Sequence, residues 1–407
     1  MTGAALSRAA LLVLGIGWVL AHPESASAQV RLRTTGTVFH EAGGPLEMTV
    51  LVPAADLEAE IAEVVVLRAG WQADVVSGAS VAVVDAPATS VDAIASATRL
   101  DDVRHTVGGG LELRSEYASV GAGYSWGRES DYRSHGLTVT GRAELFDRNT
   151  GLEIAIGRGF DRACNLHQPR AREPVERQRM PSSDGCFASA ERESLPLDLM
   201  TVQGGWTQAW SPVLATQLVV GGQLLHGYQG NPYRAVWLGR SAAQEYHPLD
   251  RARRYVALGT RFWVAPVEGA VQLWARGYDD SWGVRALSAE IAWDQSLGEA
   301  LRLRLRGRYH AQTGALFYSD DYARQQRGRY FTGDRELSPM SSLLVGARLV
   351  WSPSPDDEGR VLGLLDRFAV VLKGDWVSHR FDEFRYGRAA VPNGDALVAT
   401  VGLEVEP

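Results

Sequence analysis

The segment Leu301–Gln312 sorts its side chains with a period of two. Leu301, Leu303, Leu305, Gly307, Tyr309 and Ala311 fall on one side of an extended chain, and Arg302, Arg304, Arg306, Arg308, His310 and Gln312 on the other. A helix, with its repeat of about 3.6 residues, would mix the two sets; a strand keeps them apart. Guanidinium groups are costly against lipid, so the arginine face requires water or a protein interior while the leucine face requires an apolar neighbour. The pattern recurs. In 66–76, Leu67, Ala69, Trp71, Ala73 and Val75 oppose Arg68, Gly70, Gln72 and Asp74, and near the end Leu397, Ala399, Val401, Leu403 and Val405 oppose Thr400, Gly402 and Glu404.

A large soluble sandwich or solenoid also alternates, but it hides its apolar face. Here nearly every segment carries the same Leu/Val/Ala/Gly face with Trp or Tyr near its ends, and no helices are predicted to cover it. Trp71, Trp126, Trp206, Trp210, Trp293, Trp351 and Trp376 suit interfacial girdles. The reading is all-β: a transmembrane antiparallel β-barrel of about 16 strands, with approximate spans 30–39, 46–58, 62–77, 102–115, 117–129, 132–146, 150–160, 197–210, 213–228, 252–265, 268–279, 283–295, 299–314, 338–351, 364–380 and 395–406. Short turns follow Glu116, Phe146, Trp210, Val264 and Asp294. Longer polar connections at 77–100, 161–195, 229–250, 317–335 and 381–395 fall at the other end, together with tight tips at 129–133 and 279–283. Short periplasmic turns and long extracellular loops are expected of an outer-membrane barrel. Residues 90–98 (SVDAIASAT) are the one stretch of helical or irregular character.

The start of the chain reads as a secretory signal. Arg8 precedes the apolar run 9–21, and Ala26-Ser27-Ala28 forms a small-x-small cleavage site. The division is therefore 1–28 signal peptide and 29–407 barrel, bound for the cell outer membrane. A formal charge of −7 argues against nucleic acid as a partner. Cys164 and Cys186 lie in one polar, Pro-rich segment, where export favours a disulfide that staples the loop; a redox-active pair is the other reading.

Several peptides resemble a family of bacterial outer-membrane barrels that is known only as a numbered domain of unknown function. They are DVVSGAS (74–80), VDAI (91–94), DVR (102–104), ESDYRS (129–134), GYQGNPYR (227–234), RGYDDSWG (276–283), YHAQ (309–312), ALFY (315–318) and FTGDRELSP (331–339). They run in order through most of the chain. The resemblance implies a barrel of unestablished activity and, from the functions said to accompany such proteins, a link to extracytoplasmic redox partners.

Candidate lumen and mouth residues are Arg68, Asp74, Arg104, Glu129, Asp131, Arg276, Asp279, Asp280, Arg302, Arg304, Arg306, Arg308, Asp334, Arg335 and Glu336. They can form paired charges that brace the wall, a constriction that selects solutes, or, at Asp279/Asp280 or Asp320/Asp321, an oxygen-rich Ca²⁺ site. The arginine ladder at 302–308 would attract anions, or be compensated by Glu290 and Asp294 on the preceding strand. No HExxH, Walker or Rossmann pattern occurs, and neither an enzyme nor a cofactor is expected. The expected partners are outer-membrane lipid, the barrel-insertion machinery and a small polar or ionic solute. The function read from the sequence is a porin-like pore or scaffold; the alternative is a plugged interaction barrel that serves a periplasmic or surface partner, a redox partner included.

Overall fold

A computed structural model describes residues 28–42, 47–80, 83–84, 98–166, 187, 192–231, 235–237, 242–322, 328–354, 360–361, 365–386 and 389–407. The alternating segments form sixteen strands: β1 (Ala28–Ala42), β2 (Met48–Ile61), β3 (Val65–Ser80), β4 (Thr98–Arg114), β5 (Ala118–Arg128), β6 (Tyr132–Leu145), β7 (Thr150–Leu166), β8 (Arg192–Ser211), β9 (Leu214–Gly227), β10 (Asp250–Val264), β11 (Gly269–Asp280), β12 (Arg285–Leu297), β13 (Leu301–Gln312), β14 (Met340–Trp351), β15 (Arg367–Phe381) and β16 (Asn393–Glu406). Each pairs antiparallel with the next, and β16 closes on β1 from Leu32↔Val405 to Ala42↔Asp395. Closure leaves the wall without an unpaired edge.

The register places the apolar set outward all round the wall. Val120, Leu287 and Ile291 are 60%, 64% and 57% exposed, as are similar residues on nearly every strand. A soluble protein does not display such a continuous band. Trp210, Trp351 and Trp376 stand on this outer face, as the girdle reading expects. The inward positions carry arginines, carboxylates, serines, threonines and glycines, and near the long-loop rim some charged residues, Arg254 and Asp279 among them, stand on the outer face.

All sixteen expected strands are present. The clearest difference is that β7 runs to Leu166 and β8 starts at Arg192, where alternation predicted 160 and 197. The extra rungs, such as Ala163↔Leu195 and Asn165↔Glu193, stand beyond the apolar band. There no alternation is needed, so the sequence carries no signal for it. Residues 90–97 of the irregular stretch lie outside the described residues, and Thr98 opens β4. Among the described residues the helical elements are short 3-10 turns at Ala265–Val267 and Arg335–Leu337.

The two ends differ as expected. Tight reversals at 62–64, 146–149, 212–213, 265–268 and 298–300 occupy one end, although the connection 352–366 there is long. At the other end Val83–Val84, Ala235–Trp237 and Ala242–Gln244 form a small sheet of their own among the long loops.

Candidate functional site: a charged lumen beneath a packed mouth

The arginine ladder of β13 points inward, and its four members differ in their surroundings. Arg304 forks onto Asp294 of β12 at 2.6 and 2.9 Å. This is one of the two compensations expected. Arg306 reaches instead across β14 to Asp375 of β15 at 3.0 and 2.7 Å, where Lys373 joins at 3.0 Å. The intervening residue is Gly346, in register with both Arg306 and Asp375; a Cβ there would collide with the Asp375 carboxylate. Arg302 and Arg308 form no ion pair among the described residues, and neither does the nearby Arg348. Glu290 stands opposite Arg308 in register without an ion pair between them.

At the short-turn mouth the lumen divides into two oppositely charged hollows. One, of about 650 Å³, is lined by Arg261, Arg302, Arg304, Arg348 and Arg367 against Asp294, Glu299 and Glu404. The other, of about 1030 Å³, is lined by Glu60, Glu63, Glu112, Glu116 and Glu144 against Arg114, Arg142 and Arg148. They centre near β13 and β4, which stand almost half-way round the wall from each other. Arginines excess on one side thus face carboxylates in excess on the other. On the acidic side Arg114 is bracketed by Glu112 and Glu60 at 2.8 and 2.9 Å, and next to that hollow Arg68 is bracketed by Glu58 and Glu112 at 2.9 and 2.5 Å.

The long-loop mouth is packed. Asp334 caps the 3-10 turn by accepting from Glu336 N at 3.1 Å. The turn folds inward, so that Arg335 forks onto Glu41, an inward residue of β1 only 2% exposed. Burial alone would depress the Arg335 guanidinium, but the Glu41 hydrogen bonds and charge overcome it and hold the pKa above its ordinary value. Gln312 donates to the carbonyls of Glu336 and Ser338, both at 2.9 Å. Thr332 Oγ1 donates to Glu245 at 2.8 Å and Tyr318 Oη to the Glu383 carbonyl at 2.5 Å, which ties three long loops together. Trp282, Phe317, His247 and Tyr330 pack edge-on beneath them. Burial, the chief cause, pushes the Tyr322 phenol up to about 12, and Tyr318 and Tyr228 higher still.

The remaining candidates divide by face. Asp280 is a buried hub: it accepts from Arg251 Nε at 2.9 Å, Tyr278 Oη at 2.8 Å, and the backbone N–H groups of Trp282 and Val284 at 2.9 and 3.0 Å. Asp279 lies on the opposite, outer face with Arg254 and Arg285 at 2.6 and 3.4 Å. Adjacent residues of one strand therefore do not share a cation, and Asp320 is held by Arg385 at 3.0 Å. Asp74 accepts from Gln72 at 2.9 Å, Arg104 lies over Tyr132, and Arg276 over Tyr255. Glu129 and the buried Asp131 form the β5–β6 tip. Cys164 is fully buried at the top of β7; Cys186 lies outside the described residues. Sequence reasoning missed Glu41, Arg251, Arg348 and Asp375. Of these, Glu41 and Asp375 carried a signal, as acidic residues at inward positions of apolar strands.

A closed antiparallel barrel with an apolar exterior and a charged lumen defines a protein of the outer-membrane barrel class. Residues 3–352 match the model of a family described as protein of unknown function (DUF3570), and the chain belongs to that family. The strands that complete the wall, β15 and β16, follow the matched stretch. No curated protein gives a match. Among solved structures the chain is similar to a bacterial polysaccharide outer membrane secretin (11% identity, 93% of this chain and 98% of that one, TM-score 0.49). It is also similar to OccK2 (OpdF) of Pseudomonas aeruginosa (9%, 93% and 98%, TM-score 0.42). These similarities carry no part of the argument, and the barrel assignment rests on the strand pairing itself.

Proposed function

We propose that this chain is a non-enzymatic outer-membrane pore for small polar or ionic solutes, with the short-turn mouth in the periplasm and the packed loops as a restriction at the outer surface. The reading includes a cleaved signal over 1–28, a Cys164–Cys186 disulfide that staples one loop, a lipid-embedded wall, and delivery by the barrel-insertion machinery. The opposed hollows carry the proposal. A wall that needed only bracing would pair its charges locally. Here Arg302 and Arg348 line the basic hollow without ion pairs among the described residues, while glutamates crowd the far side. Such a field orders water and orients dipolar or anionic solutes in transit.

Planar-bilayer recording tests this. The wild type should conduct, and Arg302→Glu/Arg348→Glu should move the reversal potential toward cations. Equal reversal potentials would sink the field argument. Absence of any conductance would favour the second reading, a plugged interaction barrel, which draws its support from the packed mouth.

A further inference from the structure

Cross-strand register aligns a row of basic side chains on the outer face of the wall, at the long-loop rim. His105 of β4 stands opposite Arg128 of β5, Arg128 opposite Arg133 of β6, and Arg133 opposite Arg162 of β7. All four share the face of the exposed Val107, Tyr124, Leu137 and Ile156, so they point away from the lumen. Like charges placed directly opposite one another repel, and no carboxylate pairs with this row. Arg162 donates to Ser194 Oγ at 2.7 Å, Arg133 lies 4.1 Å from the Phe187 ring centroid, and Arg128 has no ion pair among the described residues.

The layer beneath fixes the level of the row. Trp126, Tyr124 and Phe160 lie on the same face one or two steps lower, with Tyr124 Oη 2.7 Å from His135 Nδ1; on β7 Arg158, paired with Asp198 at 4.0 Å, comes next, and the aliphatic Ile156 and Ile154 follow below it. Aromatic side chains of this kind mark the boundary between hydrocarbon and head groups. The contrast with the rim of β10–β12 is direct, since there Asp279 sits between Arg254 and Arg285. At the short-turn end the outer positions of the described strands carry no arginine at all.

We propose that the Arg128–Arg133–Arg162 row seats the phosphorylated head group of an outer-leaflet lipid, whose chains lie on the apolar band below. Planar guanidiniums spaced one strand apart fit phosphate oxygens, and their mutual repulsion is relieved when the anion binds. This rests on the reading that the wall is in the membrane with its long loops outward.

Native mass spectrometry of the full chain in detergent tests it, with diphosphorylated lipid A, the same lipid dephosphorylated, and inorganic phosphate as competitor. The wild type should retain the diphosphorylated lipid and not the dephosphorylated one. The Arg128→Gln/Arg133→Gln/Arg162→Gln variant should bind it roughly a hundredfold more weakly, at about fivefold per guanidinium at a lipid surface. Equal binding by wild type and variant overturns the proposal, as does equal binding of the dephosphorylated lipid. Displacement by millimolar phosphate would make the row a free-anion site, and loss of a dimer in the variant would make it a self-interface; either result also overturns it. Heat-modifiable gel mobility is read in parallel. Its absence in the wild type refutes the membrane reading instead, and its persistence in the variant shows that the wall still folds.

Discussion

The two mouths of this barrel are built by opposite means. At the short-turn end the chain reverses locally, and the backbone bears the cost: Ala62, Glu63, Phe146, Asp147, Arg148 and Glu268 all take positive φ without being glycine. Charged side chains there stand in open hollows. At the long-loop end positive φ falls on glycine, at Gly227 and Gly283. A side chain at Gly227 would run into the Pro196 carbonyl of β8. The cost there lies in buried polar groups held by partners far away in the chain, such as Arg335 and Glu41, 294 residues apart. One mouth is thus specified by turn geometry, the other by desolvated long-range pairs, and the two should respond differently to mutation and to pH.

The largest effect is expected at the long-range pair. Arg335→Ala leaves Glu41 buried without its cation, which costs about 3–5 kcal/mol where the charge cannot be rehydrated. Hydrogen exchange around Arg335 should accelerate accordingly, and bilayer conductance should rise as the turn leaves the wall. The pair Arg68–Glu58, chemically the same but 44% and 30% exposed in the lumen, supplies the control. Glu58→Gln should cost no more than about 1 kcal/mol. Equal costs at both sites would erase the distinction between the mouths.

Alkali should act next in size and on the long-loop mouth alone. Burial raises the Tyr322 phenol from its ordinary value near 10 to about 12, because the phenolate is desolvated there. A group whose pKa is raised in the folded state contributes stability in full below its unfolded pKa and loses it as pH climbs through the folded one. The loops should therefore hold below about pH 10 and weaken progressively toward pH 12, by up to roughly 2–3 kcal/mol. The Tyr322 hydroxyl accepts from Thr332 N at 3.0 Å and donates to the Phe317 carbonyl, so ionisation also removes a donor. Protease cleavage of the loops between pH 9 and 12 reads this out, and Tyr322→Phe should flatten the profile.

The same division governs what the sequence made legible. Wherever the wall meets the apolar band, period-two alternation specified the strand. Leu301–Gln312 lies in the wall as read, and the inward ladder follows from it. Beyond the band that signal disappears, which is why the last rungs of β7 and β8 were not anticipated. Pairings that need three strands in register were hidden as well. Arg306 was expected to find a carboxylate on the preceding strand, yet its partner Asp375 lies two strands on, over Gly346. Asp279 and Asp280 read as one acidic cluster, and only the pleat sends them to opposite faces. Arg128, Arg133 and Arg162 belong to three different strands, and only the pairing aligns them.

The smallest effect separates the mouths from the other side. Ile61–Val64 is a reversal closed by Val64 N donating to the Ile61 carbonyl at 3.2 Å, with φ of 52° and 58° at Ala62 and Glu63. Positive φ at both central residues is the mirror-image turn that matches strand twist and ordinarily calls for glycine or asparagine. A β-carbon in this region costs about 1–2 kcal/mol, and the greater freedom of glycine when unfolded returns roughly 0.5–1 kcal/mol of that. Glu63→Gly should therefore stabilise the barrel by up to about 1 kcal/mol, seen as a higher guanidinium midpoint for loss of heat-modifiable mobility. Both Ala62 and Glu63 are exposed, so no packing is lost with the change. Exchange around Arg335 should stay as in the wild type, since among the described residues the two mouths share no hydrogen bond or ion pair. A midpoint that falls, or a long-loop mouth that tightens with it, would show that the ends are coupled through the wall and that turn geometry does not act alone at the short-turn end.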